Sequence, residues 1–211
     1  MFTLLEGSPH PRSLLNGCLA GLALSLLVAC ADPSPYQSNG QPKPIFTETE
    51  AAGIAKATTS VSAGTQFLSN ATALTIGGGH GTQIEYLSAD GTTDLWYPTN
   101  GRTVPGYWKV IDFAPGLPGI CFLYGSNTYN PVTREGGGAW ECDSPLKEYL
   151  SRVTQLIDGD PFRLATGKVP FVLPRGAMTV AGNIQLQAGN AVQQGDLTYR
   201  FNIIKQYMLE N

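Results

Sequence analysis

Charge is scarce in this chain. Lys, Arg, Asp and Glu make up 14% of its 211 residues, against roughly 25% in soluble domains, and 13 basic residues are outnumbered by 16 acidic ones. A protein that neutralises nucleic-acid phosphates carries a basic stripe, so this balance argues against a nucleic-acid partner. Histidine is scarcer still: there are two, and His80 is the only one beyond the first ten residues. With four cysteines and no ligand-like Cys/His spacing, neither a metal nor any other cofactor is expected. A Gly-x-Ser-x-Gly nucleophile turn is missing, as is any repeat of 20 to 50 residues. What the chain has instead is 25 Gly and 15 Pro among 42% hydrophobic residues. That mixture builds a core from short strands and many turns, not from long helices.

The N-terminal 29 residues read as an export leader. Residues 14–28 are a mainly apolar run interrupted at Asn16, Gly17, Cys18 and Ser25, shorter than a comfortable membrane span. Its end, Leu27-Val28-Ala29-Cys30, resembles the lipobox of bacterial lipoproteins, in which cleavage falls before a cysteine whose thiol carries diacylglycerol. The first thirteen residues depart from the usual leader, because Glu6 offsets Arg12. By that resemblance Cys30 is the lipid attachment site, and Ala31 after it favours the outer membrane, facing the periplasm. Several acyl chains on one cysteine anchor more firmly than the marginal single chain. Residues 30–44 form the lipidated cysteine and a tether: four Pro, two Ser and two Gln lie among residues 31–44, with no aliphatic side chain larger than Ala. Residues 45–211 are expected to fold as one β-rich domain.

With Cys18 in the leader and Cys30 lipidated, Cys121 and Cys142 are the thiols left in an oxidising compartment, and a disulfide between them is expected. Closing a loop of about 22 residues stabilises by roughly 3 kcal/mol in the chain-entropy picture.

Local patterns outline the domain. Thr47 three residues before Glu50 suggests a capping box and a short helix over residues 47–57, after which the character turns to strand. Residues 83–87, the turn Asp90-Gly91 and residues 95–97 read as a hairpin. Strands follow over residues 107–111, 120–124 and 139–142, with a long Gly-rich loop between the last two. Ser144-Pro145 and the apolar spacing through Ile157 predict one packed helix. Residues 169–173 read as an edge strand, and residues 184–187 and 197–203, which alternate with period two, as a closing hairpin. The fold class expected is mainly β, an antiparallel small barrel or sandwich with one packed α-helix.

The order Glu85-Tyr86, Asp90-Gly91, Gly106 with Trp108, Cys121 with Phe122 and Tyr124, then Trp140 and Cys142 resembles uncharacterised families of small exported bacterial proteins. The shared pattern is aromatic-Asp-Gly, Gly-x-Trp, Cys and Trp-x-Cys over about 60 residues. The resemblance implies export, a β-rich fold and the disulfide, and brings no activity with it.

Ten of the twenty aromatic residues, including every Trp, fall between Tyr86 and Trp140. Adjacent pairs such as Trp96-Tyr97 and Tyr107-Trp108 must point to opposite faces of a strand. If an outer face is solvated it makes an aromatic platform, so Trp96, Tyr97, Trp108, Asn127, Tyr129 and Asn130 are the candidate binding residues. The function expected is that of a non-enzymatic envelope lipoprotein that binds a protein or glycan partner. A second expectation, from a different class, is a hydrolase of envelope polymers using His80 and a nearby carboxylate. Asp158 and Asp160 offer a carboxylate pair, although Asp-Gly-Asp-Pro is ordinary turn chemistry, and no catalytic residue is assigned.

Overall fold

The computed structural model describes residues 46–203 apart from Gly78. The expected leader, Cys30 and the tether lie outside these residues. Two helices, α1 (Glu48–Ala57) and α2 (Val61–Leu68), precede β1 (Ala71–Gly77), β2 (Gly81–Leu87), β3 (Thr92–Trp96), β4 (Val104–Ala114) and β5 (Leu117–Tyr124). The short pair β6 (Tyr129–Asn130) and β7 (Glu135–Gly136) sits in the Gly-rich loop. Then come β8 (Glu141–Pro145), α3 (Leu146–Arg152), β9 (Val153–Asp158), α4 (Ala181–Ala188) and β10 (Tyr199–Asn202). Eight strands form one sheet in the order β10-β9-β1-β2-β3-β4-β5-β8, and every neighbouring pair is antiparallel.

The chain is therefore mainly β and antiparallel, as its composition implies. The sheet is open, with β10 and β8 as its edges, and does not close into a barrel. Helices and loop, in place of the second sheet of a sandwich, cover the first face and the second face from β9 to β3. On the first face α1, α2 and α3 pack over Ala71, Ala73, Leu87, Trp108, Val110, Ile120 and Leu156. On the second face the segment after β9 lays Phe162, Leu164, Leu173 and Ile184 over Leu74, Ile84, Trp96 and Ile157. Strands covered on both sides carry apolar residues at consecutive positions, which explains why Ala73-Leu74 and Leu156-Ile157 break strict alternation.

The capping box is present: the Glu50 N–H donates to Thr47 Oγ1 at 3.2 Å and the Thr47 N–H to Glu50 Oε2 at 2.8 Å. The strand expected after Thr58 is instead α2, begun by Ser60, whose hydroxyl accepts from the Ala63 N–H at 3.1 Å. A Cβ on Gly64 would lie 2.5 Å from Leu146 Cδ2, so only glycine lets α2 come this close to the start of α3.

Three expectations about the second half are corrected. The single helix from residue 145 to 157 stops at Arg152, and Val153–Asp158 is a strand between β1 and β10. Val, Thr and Ile favour that extended state, and a short buried apolar run carries no period that separates the two. Residues 169–173 form a strap, not a strand. Residues 184–187 lie in α4, where the Ala181 N–H donates to Gln155 Oε1 at 2.8 Å, and β10 pairs with β9 instead of closing a hairpin. The expectation of one packed helix also yields to four.

Arg200 ties the layers together. Its Nε lies 2.6 Å from Asp158 Oδ1, and its remaining nitrogens donate to the carbonyls of Phe67 in the last turn of α2 and of Ser69 and Asn70 beyond it.

Candidate functional site

Cys121 and Cys142 are joined, with their Cα atoms 4.2 Å apart across β5 and β8. The bond closes the base of the loop over residues 125–140. Inside the loop, Asn130 Oδ1 accepts from the Val132 and Thr133 N–H groups at 3.0 and 3.3 Å. The oxygen of this carboxamide is committed to holding the turn, while Asn127 is exposed and Tyr129 is 63% exposed.

Coverage decides which member of each aromatic pair meets solvent. Trp96 is fully buried on the second face against Phe162 and Phe171, and Trp108 is buried on the first face with its indole N–H donating to Ser88 O at 2.9 Å. Neither can serve as a platform residue, which corrects the expectation for both. Their neighbours take that part. The loop and helix after β9 cover the second face only as far as β3, so β4, β5 and β8 present theirs outward. There Tyr107 is 56% and Trp140 39% exposed, and Lys109 Nζ sits 3.9 Å from the centre of the Trp140 ring. Tyr107 pairs with Leu123 and Lys109 with Cys121, so the disulfide lies under the patch. The sequence signal was present in the pair Tyr107-Trp108, but nothing local says which face is left bare.

Tyr97 turns to His80, whose Nδ1 lies 2.8 Å from the Tyr97 hydroxyl. Burial and the Arg175 charge both lower the His80 pKa. No carboxylate bonds to this imidazole among the described residues. Asp158 is held by Arg200 of β10, and Asp160 accepts from the N–H groups of Leu164 and Ala165 at 2.8 and 2.9 Å and so holds the turn. Among the described residues no three His, Cys, Asp or Glu side chains converge as a metal site.

The feature that sequence reading left without a role is Glu85. Strand alternation puts it on the first face, where the pairs Thr93 with Gly106 and Gly106 with Tyr124 run away from it. Tyr124 reaches back across β4 and donates its hydroxyl to Glu85 Oε1, while Thr93 Oγ1 lies 2.9 Å from the same oxygen and 2.8 Å from Tyr86 O. A hydroxyl has one proton to give, and the Tyr86 carbonyl can only accept. The Thr93 hydroxyl therefore donates to Glu85 Oε1 or to Tyr86 O, one at a time, while Tyr124 donates to the same carboxyl oxygen. Burial pushes the Glu85 carboxyl up to about 7, against the opposing pull of Tyr124 and Thr93 and with help from Asp94. The Tyr149 hydroxyl, also buried, has no hydrogen-bond partner among the described residues.

Gly106 makes this reach possible, since a Cβ there would lie 2.6 Å from Leu123 O and 2.8 Å from Tyr124 Cδ1. Gly106→Ala is expected to displace the Tyr124 ring and cost about 1–3 kcal/mol, measured by urea unfolding. A variant as stable as the parent would show that the ring does not depend on that gap.

No protein-family model, curated protein or solved structure matches the chain.

Proposed function

We propose that the chain is a cell-envelope lipoprotein, anchored through Cys30 in the outer membrane and facing the periplasm, whose domain is a non-enzymatic binding module. The observation that carries this reading is the bare second face of β4, β5 and β8. Both other large apolar surfaces of the sheet are covered, yet this one keeps Tyr107 and Trp140 outward on a disulfide-braced support. Flat rings beside an amide- and hydroxyl-rich loop suit the stacking of sugar rings, and Lys109 beside Trp140 suits an acidic sugar or a stem-peptide carboxylate. A cell-wall glycan is thus the favoured partner, ahead of a protein.

Binding of soluble muropeptides to the full chain tests the surface. Tyr107→Ala and Trp140→Ala are each expected to weaken it about tenfold, equivalent to about 1.4 kcal/mol. Unaltered binding in both would overturn the assignment, and a protein partner lost from both variants would move it to the other class. The anchor is tested separately. Cys30→Ser is expected to shift the protein from the membrane to the soluble fraction, and a variant that stays in the membrane after a high-salt wash would sink the lipobox reading.

A further inference from the structure

A second surface lies at the end of the sheet formed by the β1–β2 turn, the β3–β4 loop and the strap over residues 167–177. Arg102 pairs with Lys168 in an antiparallel bridge. The Thr103 N–H donates to Gly167 O, so Arg102 and Lys168 are the non-hydrogen-bonded pair of that bridge. In this geometry the Cα atoms approach to about 4.5 Å and the side chains leave side by side. Like charges placed directly opposite one another are destabilising. Neither side chain makes a hydrogen bond or ion pair among the described residues. The acids nearest in sequence are otherwise engaged: Asp94 accepts from the Thr103 hydroxyl at 2.8 Å, and Asp160 caps its own turn.

Beside the bridge, a shallow open pocket of about 470 Å³ is lined by Thr99, Asn100, Gly101, Arg102 and Thr103. The Thr99 N–H donates to Leu173 O at 2.8 Å, which brings the strap alongside. Arg175, two residues on, stands instead beside His80 and Tyr97, away from the bridge, and the two facing cations lie in a chain whose net charge is −3.

We propose that this pocket binds a phosphoryl monoester, with Arg102, which lines it, and Lys168, its partner in the bridge, as the paired cations. Two facing cations are balanced by a doubly negative group, which a phosphate monoester is near pH 8 and a carboxylate is not. The guanidinium fork and the ammonium group supply complementary donors to its three oxygens. The site is separate from the aromatic face, so either can fail without the other.

The full chain carrying Cys30→Ser, which removes the expected anchor, is titrated with glycerol 1-phosphate at pH 8, with sodium chloride at matched ionic strength as control. Phosphate is expected to bind and to raise the thermal midpoint beyond the chloride effect. Arg102→Gln with Lys168→Gln should weaken binding at least about tenfold while leaving the midpoint in phosphate-free buffer equal or higher, because the repulsion is gone. Lys168→Glu, which pairs with Arg102, should raise that midpoint and abolish binding. A second arm mixes the same chain with phosphatidylcholine vesicles with or without phosphatidic acid. Sedimentation with the phosphatidic acid vesicles alone identifies a lipid headgroup, and binding of glycerol 1-phosphate without sedimentation identifies a soluble ligand. Equal phosphate responses of parent and variants, or a rise reproduced by chloride, would overturn the site.

Discussion

Unfolding free energy is expected to fall by on the order of 3 kcal/mol between pH 4.5 and pH 7, and Glu85→Gln is expected to remove most of that fall. Glu85 titrates near 4.5 when unfolded and about 7 when folded. Between those values the unfolded chain has released the proton that the folded chain still holds, so raising the pH favours unfolding. Above pH 7 both states are ionised and the loss is complete. The carboxamide of the Glu85→Gln variant cannot ionise and still offers its Oε1 to the Tyr124 hydroxyl, so its stability is expected to be nearly the same at pH 5 and pH 8. Asp94 and Asp160, whose pKa values are also raised by burial, add in the same direction. His80, with a lowered pKa, opposes them as it loses its proton in the unfolded state near pH 6.5. Urea unfolding of both proteins at pH 5 and pH 8 separates the Glu85 share. Parallel pH dependence in parent and variant would place the titration elsewhere.

The second large effect separates the two kinds of tryptophan. Trp96→Ala empties a fully buried site between Phe162 and Phe171 and is expected to cost about 3–5 kcal/mol. Trp140→Ala removes an exposed ring and is expected to change stability by less than about 0.5 kcal/mol. Thermal unfolding of the two variants side by side checks this. Similar losses in both would mean that Trp140 also belongs to a packed layer and would remove the basis for the aromatic surface. The ordering also sets which variant informs on binding, because loss of function in Trp96→Ala would report unfolding.

The Glu85 cluster bears on the loop next to the proposed binding face. Tyr124 is the last residue of β5, and its carbonyl accepts from the Gly138 N–H at 2.8 Å where the loop returns. One residue thus joins the buried carboxyl on the first face to the root of the loop that carries Tyr129. Its phenol is raised well above its usual pKa by burial and by Glu85, so it stays a donor through neutral pH.

Features set within a few residues could be read directly from the chain. The capping box at Thr47 and Glu50 and the hairpin around Asp90-Gly91 fall in this group, since Gly91 adopts φ +87° and Asp90 accepts from the Thr92 N–H at 2.9 Å. The pairing of Cys121 with Cys142 followed from the count of remaining thiols. Alternation also guaranteed that Tyr107 and Trp108 part company. What lies over each face was left to long-range packing. Val153–Asp158 became a strand because β1 and β10 flank it, and α4 became a helix because Ala181 and Ile184, three apart, meet the second face while Leu186 stays outside. Glu85 acquired its partners from β3 and β5, eight and thirty-nine residues away. Local propensity is worth a few tenths of a kcal/mol per residue, whereas burying a large side chain is worth about 1.5–3 kcal/mol, so coverage by distant segments outweighs the local pattern wherever the two compete.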